Sequence, residues 1–207
     1  MSYLIYHPKR SETQIGNLKV YHDSFIGNED PYIWNERFLH TYCHITQLTN
    51  NEGQINFWVS GNTYPNFTRL FCDCVFVIDK KYFWSDANNI SLSDPIVDNK
   101  QTFEHHYKWF QQHPLKIKRY TLKADNKKSF QPQDIDKNLI DILPFLNQQG
   151  ISTDELINGI AMTKNGKRAV GSRPFKLSDD IGQRLYDYLF STATIKLTGD
   201  LLATKHP

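Results

Sequence analysis

Cysteine is scarce in this chain: Cys43, Cys72 and Cys74 are the only three. An odd, small number argues against a disulfide framework and fits a reducing compartment. A surplus of one charge is missing as well. The 24 Lys and Arg residues are nearly matched by 22 Asp and Glu, leaving a net +2. The whole chain is therefore not an electrostatic nucleic-acid binder, and any charge-led function must be local. No run approaches the ~18 apolar residues that a membrane-spanning helix needs. The opening MSYLIYHPKR puts apolar residues before basic ones, the wrong order for a secretory signal. A cytoplasmic protein is expected, so the glycosylation patterns at Asn66 and Asn89 carry no weight. No internal repeat and no low-complexity stretch is present. H-E-x-x-H, G-x-S-x-G, G-x-x-x-x-G-K-[ST] and H-x-E…P-C-x-x-C are all absent. Hydrolase, kinase and deaminase chemistry thus lack their usual anchors.

What is present is a substantial core. The 207 residues are 39% apolar and 14% aromatic, enough for one full core and too aromatic for disorder. YLIY, LKVYH, FLHTYCHITQL, QINFWVS, RLFCDCVFVID and LKIKRYTLKA read as strands, with Asn50-Asn51-Glu52-Gly53 as the turn between the third and fourth. Phe103, His106, Tyr107 and Phe110 fall at helical spacing, and Pro114 ends that helix. From about residue 135 the pattern turns helical. DIDKNLIDILPFL is interrupted by Pro144, Ser152 and Glu155 form a capping box, and Ser178 precedes two acids suited to a helix N-terminus. Strands first and helices afterwards predict an α+β fold. The expectation is a small curved β-sheet or barrel over residues 1–132, with a helical extension over 133–207 packed on it.

Alternation along the strands picks out candidate ligand contacts. In INFWVS, Ile55, Phe57 and Val59 share one face, and Asn56, Trp58 and Ser60 the other. The second face is an indole flanked by hydrogen-bonding groups, which suits a planar polar ligand. In LFCDCVFVI, Leu70, Cys72, Cys74, Phe76 and Ile78 share a face, and Phe71, Asp73, Val75 and Val77 the opposite one. Both are apolar, as in a central strand. Asp73 then needs a partner, either a structural donor (the more common case) or a ligand's N–H groups. Trp58 itself could equally pack beneath a neighbouring element. Asn62 in the following loop and Trp34 complete the candidate ligand set.

Metal binding is not expected. Cys72 and Cys74 would stand about 6.8 Å apart on a flat strand, poorly placed for one ion, and core packing is the favoured reading for cysteine. His40 and His44 would lie about 13 Å apart on a strand. His106 falls on the apolar stripe of its helix. An enzymatic alternative would use Asp73 with His22, His40 or His44 in acid–base roles.

The basic segments are more informative. Between Lys108 and Lys128 stand Lys116, Lys118, Arg119, Lys123, Lys127 and Lys128, with Asp125 the sole acid. From Lys164 to Lys176 the chain carries Lys164, Lys167, Arg168, Arg173 and Lys176 and no acid at all. Either run alone is ordinarily a solvated surface. Together they can hold phosphates. Lys116, Lys118, Arg119, Lys123, Lys164, Lys167, Arg168 and Arg173 are the candidate phosphate contacts.

In layout, the strand, polar loop, long apolar strand and aromatic-rich continuation of QINFWVSGNTYPNFTRLFCDCVFVIDKKYFW resemble the PUA-like superfamily, of the EVE/ASCH or nucleotide-modification-associated type. The resemblance spans roughly residues 15 to 130. It implies a small β-barrel with flanking helices that holds a nucleobase, often modified, in an aromatic pocket, in RNA metabolism or in defence against modified phage DNA. The expected function is a nucleic-acid or nucleotide binding module. The alternatives are the enzyme above and a partner-binding protein of a bacterial defence or toxin–antitoxin system.

Overall fold

A computed structural model describes residues 1–6, 11–22, 41–45, 51–83, 120–125, 127–164 and 167–198. The strands are β1 (Ser2–Tyr6), β2 (Ser11–Ile15), β3 (Leu18–His22), β4 (Thr41–Ile45), β5 (Ile55–Gly61), β6 (Leu70–Phe83), β7 (Tyr120–Ala124), β8 (Gln131–Gln133), β9 (Ala161–Lys164), β10 (Lys167–Ser172), β11 (Phe175–Leu177) and β12 (Ile195–Leu197). The helices are α1 (Leu143–Gln148), α2 (Thr153–Ile160) and α3 (Asp179–Thr192). The predicted helix around residues 103–110 lies outside the described residues.

Six strands form one mixed sheet in the order β11-β1-β5-β6-β7-β4. Only β1 and β5 run parallel within it, with Leu4 opposite Phe57 and Ile5 opposite Trp58. The central strand read from the two apolar faces of LFCDCVFVI is β6, which lies between β5 and β7. Its length lets it serve two partners. Toward its C-terminal end it pairs with β7, from Ile78 to Phe83. Earlier, Cys72 N–H donates to Ile140 O at 3.0 Å, Val75 and Phe130 exchange both backbone bonds, and Ile142 N–H donates to Leu70 O at 2.7 Å. Among the described residues β11 and β4 do not pair with each other, so the described sheet is open rather than a closed barrel.

The two faces of this sheet carry separate apolar clusters. On one, Leu4, Phe57, Val59, Leu70, Cys72 and Val75 meet Leu143, Leu146, Leu156, Ile160, Leu185 and Leu189 of the helices. On the other, Ile5, Trp58, Cys74, Phe76, Ile78 and Leu122 meet Val20 of β3 and Leu197 of β12. This division corrects the strand-face reading of β6. Trp58 opposes Cys74, but Val59 already opposes Cys72, so Asp73 is an extra residue in a β-bulge. A bulge puts two successive side chains on one side. Cys72 therefore faces the helices, and Cys74 faces Trp58.

The turn read at residues 50–53 ends at Gly53 (φ +80°), a conformation glycine adopts freely, just before β5; β4, the strand preceding it in sequence, pairs with β7. Two further expectations are revised. Pro144 does not interrupt a helix but starts one, in the first turn of α1, where its missing N–H costs nothing. The C-terminal part is not helical throughout. It supplies β11 to the main sheet, β12 to a pair with β8, and the β9–β10 hairpin. The two caps read from sequence are in place: Ser152 Oγ accepts from Glu155 N–H and Ser178 Oγ from Ile181 N–H.

Candidate functional site

The bulge at Asp73 organises the residues singled out in β5. Asn56, Trp58 and Ser60 are all buried. Ser60 Oγ donates to Asp73 Oδ1 at 2.9 Å, and the Asn56 carboxamide oxygen accepts from Gln54 Nε2 at 3.2 Å. The Trp58 indole is 4% exposed, its ring centroid 5.1 Å from that of Phe76. In this conformation the ring is enclosed by the protein and presents no open face to a ligand. Asn62 does different work. Its carboxamide oxygen accepts from Thr68 and Arg69 N–H, both at 3.0 Å, and its amide donates to Thr68 Oγ1, closing the loop between β5 and β6. Trp34 lies outside the described residues.

Gln131 ties this seam to the rest of the molecule. Its Nε2 donates to Asp73 O at 2.8 Å and to Tyr21 O at 2.9 Å, while its Oε1 accepts from Tyr21 N–H at 2.9 Å. Gln133 Nε2 donates to Gln131 Oε1 and to Lys19 O. The two carboxamides thus pin the β2–β3 hairpin against the bulged strand. Nothing in the sequence marks Gln131 or Gln133 beyond their position near an expected domain boundary. Gln131 reaches only the Asp73 peptide oxygen; the structural donor to the Asp73 carboxylate is the Ser60 hydroxyl.

The Cys72 and Cys74 thiols are both buried. Burial, with the neighbouring Cys74 and Asp73 adding to it, pushes the Cys72 thiol well above its ordinary range. Burial and then Asp73 do the same to Cys74. A protonated thiol is neither nucleophile nor metal ligand, and these two point to opposite faces of the sheet. Among the described residues no group of three or more His, Cys, Asp or Glu side chains is placed to hold a metal ion. His22 and His44 lie in β3 and β4, and His40 is outside the described residues.

The basic residues are placed by strand register. In the β9–β10 hairpin Lys164 stands directly opposite Lys167, and Arg168 opposite Thr163. In the main sheet Lys123 of β7 stands opposite Lys80 of β6. Lys80 was not singled out from sequence. Its charge is visible in IDKKYF, but its cross-strand partner is not. Arg173 is committed to the fold: its Nε–H donates to Gly159 O and its Nη2 to Asn158 O at 2.8 Å, capping the end of α2. Lys116, Lys118 and Arg119 lie outside the described residues. Compared with known proteins, the chain matches no family model, no curated protein and no solved structure. Among the described residues no helix is long and apolar enough to cross a membrane.

Proposed function

We propose that this protein is a binding module for nucleic acid or nucleotides that recognises phosphate through opposed lysines. The observation that carries this reading is the register of two strand pairs: Lys164 against Lys167, and Lys80 against Lys123. Like charges directly opposite each other on a sheet are destabilising, and a bound polyanion relieves that repulsion. The stretch from Lys164 to Lys176 contains no acid that could do so internally. A PUA-like origin would accord with the reading, since that likeness implied a nucleic-acid reader. The enclosed Trp58 is given no part in it.

The test is salt dependence. Each phosphate contact contributes a slope of about −0.7 to −0.9 in log K against log salt. The variant K164E/K167E/R168E is expected to bind an oligonucleotide at least tenfold more weakly at low salt. Its slope should be shallower by about two to three units, reflecting roughly three lost contacts. Equal slopes for variant and parent would overturn the proposal, as would the absence of binding by the parent.

A further inference from the structure

A half-buried tyrosine and an exposed phenylalanine form an aromatic pair on the last turns of α3. Tyr186 and Phe190 are one helical turn apart, their ring centroids 6.0 Å apart and their planes within 11° of parallel. Phe130 sets its ring edge-on against both, at 5.8 Å in each case. The Tyr186 hydroxyl donates to Lys128 O at 3.3 Å. Phe190 is nevertheless 50% exposed. The Lys196 ammonium stands 4.6 Å from its ring centroid while donating to Ala193 O at 3.0 Å.

A single exposed phenylalanine is ordinary on a protein surface. This one differs in being held from two sides by other rings and covered by a cation. A ring already fixed in place loses little freedom when a flat ligand settles on it. The ammonium over it has an alternative use, as the partner of a negative group beside that ligand. Lys128, whose carbonyl meets the Tyr186 hydroxyl, is exposed but ion-paired to Asp125 at 3.2 Å. The carboxylates of Asp125 and Asp187 bear on the Tyr186 end of the pair, whereas Lys196, at the Phe190 end, has no ion-pair partner among the described residues. A flat π-face joined to a phosphate describes an unpaired nucleotide.

We infer that Phe190 is a stacking platform for an unpaired base of single-stranded nucleic acid, with Lys196 moving from the ring to the adjacent phosphate. The inference rests on the phosphate-binding reading above and adds to it a preference for unpaired strands. Duplex bases are already stacked on each other and offer no free face, whereas any unpaired base can stack on an aromatic ring.

The full chain would be titrated with three fluorescent probes of equal length: a single strand, its duplex, and a strand whose bases are replaced by abasic sites. Phe190→Ala and Phe190→Leu are each expected to weaken single-strand binding about 5- to 150-fold, the span that stacking one base on an aromatic ring covers. Binding of duplex and abasic strand should be unchanged. Phe190→Trp should keep or improve single-strand affinity. Equal losses on the abasic strand, or no loss on the single strand, would overturn the platform while leaving phosphate binding intact. A parent protein that binds none of the three probes removes both readings together.

Discussion

Gln131 does with one side chain what a strand does with a peptide group: it accepts from Tyr21 N–H and donates to Tyr21 O. The same amide nitrogen reaches the backbone of the bulge at Asp73. Removing it strands buried backbone groups on both sides. Gln131→Ala is expected to cost about 2–4 kcal/mol, because each buried polar group left without a partner costs about 1–3 kcal/mol. Urea denaturation would measure it, and a loss below about 0.5 kcal/mol would mean that water replaces the amide. At this scale the sequence was partly legible. A carboxylate among Phe and Val residues announces a structural partner, and Ser60 supplies it. The bulge was not legible, because alternation assumes a strand with no extra residue, and one extra residue reverses every face assignment beyond it. That is why Cys72 and Cys74, two apart in LFCDCVFVI, end on opposite sides.

At the scale of single elements, local chemistry carried through. Ser152 and Ser178 cap their helices because a serine hydroxyl reaches an N–H three residues ahead, and no distant contact is needed for that. Glycines within helices tell a different story. In an open helix Gly→Ala gains up to about 1 kcal/mol. At Gly182 in α3 an added Cβ would sit 2.2 Å from Ser2 Oγ and 2.6 Å from Ser2 Cβ. The missing side chain is what lets α3 lie directly on β1. Gly182→Ala should therefore lower the stability by about 1–3 kcal/mol, the usual cost of overpacking, despite the better helix former. Adding Ser2→Gly should return most of the loss in a thermal melt. If the single variant melts higher than the parent, the close approach of α3 to β1 is not what holds it.

For the molecule as a whole, α+β composition and a central β6 could be read from the sequence, but neighbours in space could not. Strand adjacency is set by non-local pairing, and nothing local in residues 41–45 says that they join β7 rather than β5. Likewise FKL at residues 175–177 is too short to read as a strand until β1 is there to pair with it. The helix-facing core draws Leu4, Phe57 and Val59 from one half of the chain and Leu146, Leu156, Leu185 and Leu189 from the other. A fragment of residues 1–132 is thus expected to lack a cooperative melt and to bind a hydrophobic dye, whereas the full chain melts in one transition. A fragment that melts cooperatively on its own would show that the first half holds a sufficient core.

The position of β1 bears on how the protein is made. This strand is synthesised before both of its neighbours, and the inner one, β5, follows about 50 residues later. Its outer neighbour β11 is synthesised roughly 170 residues later. At bacterial or eukaryotic elongation speeds of about 5–20 residues per second, that gap is roughly ten to thirty seconds. Throughout it the nascent sheet carries a bare backbone margin, a window in which a holding chaperone would have most to protect.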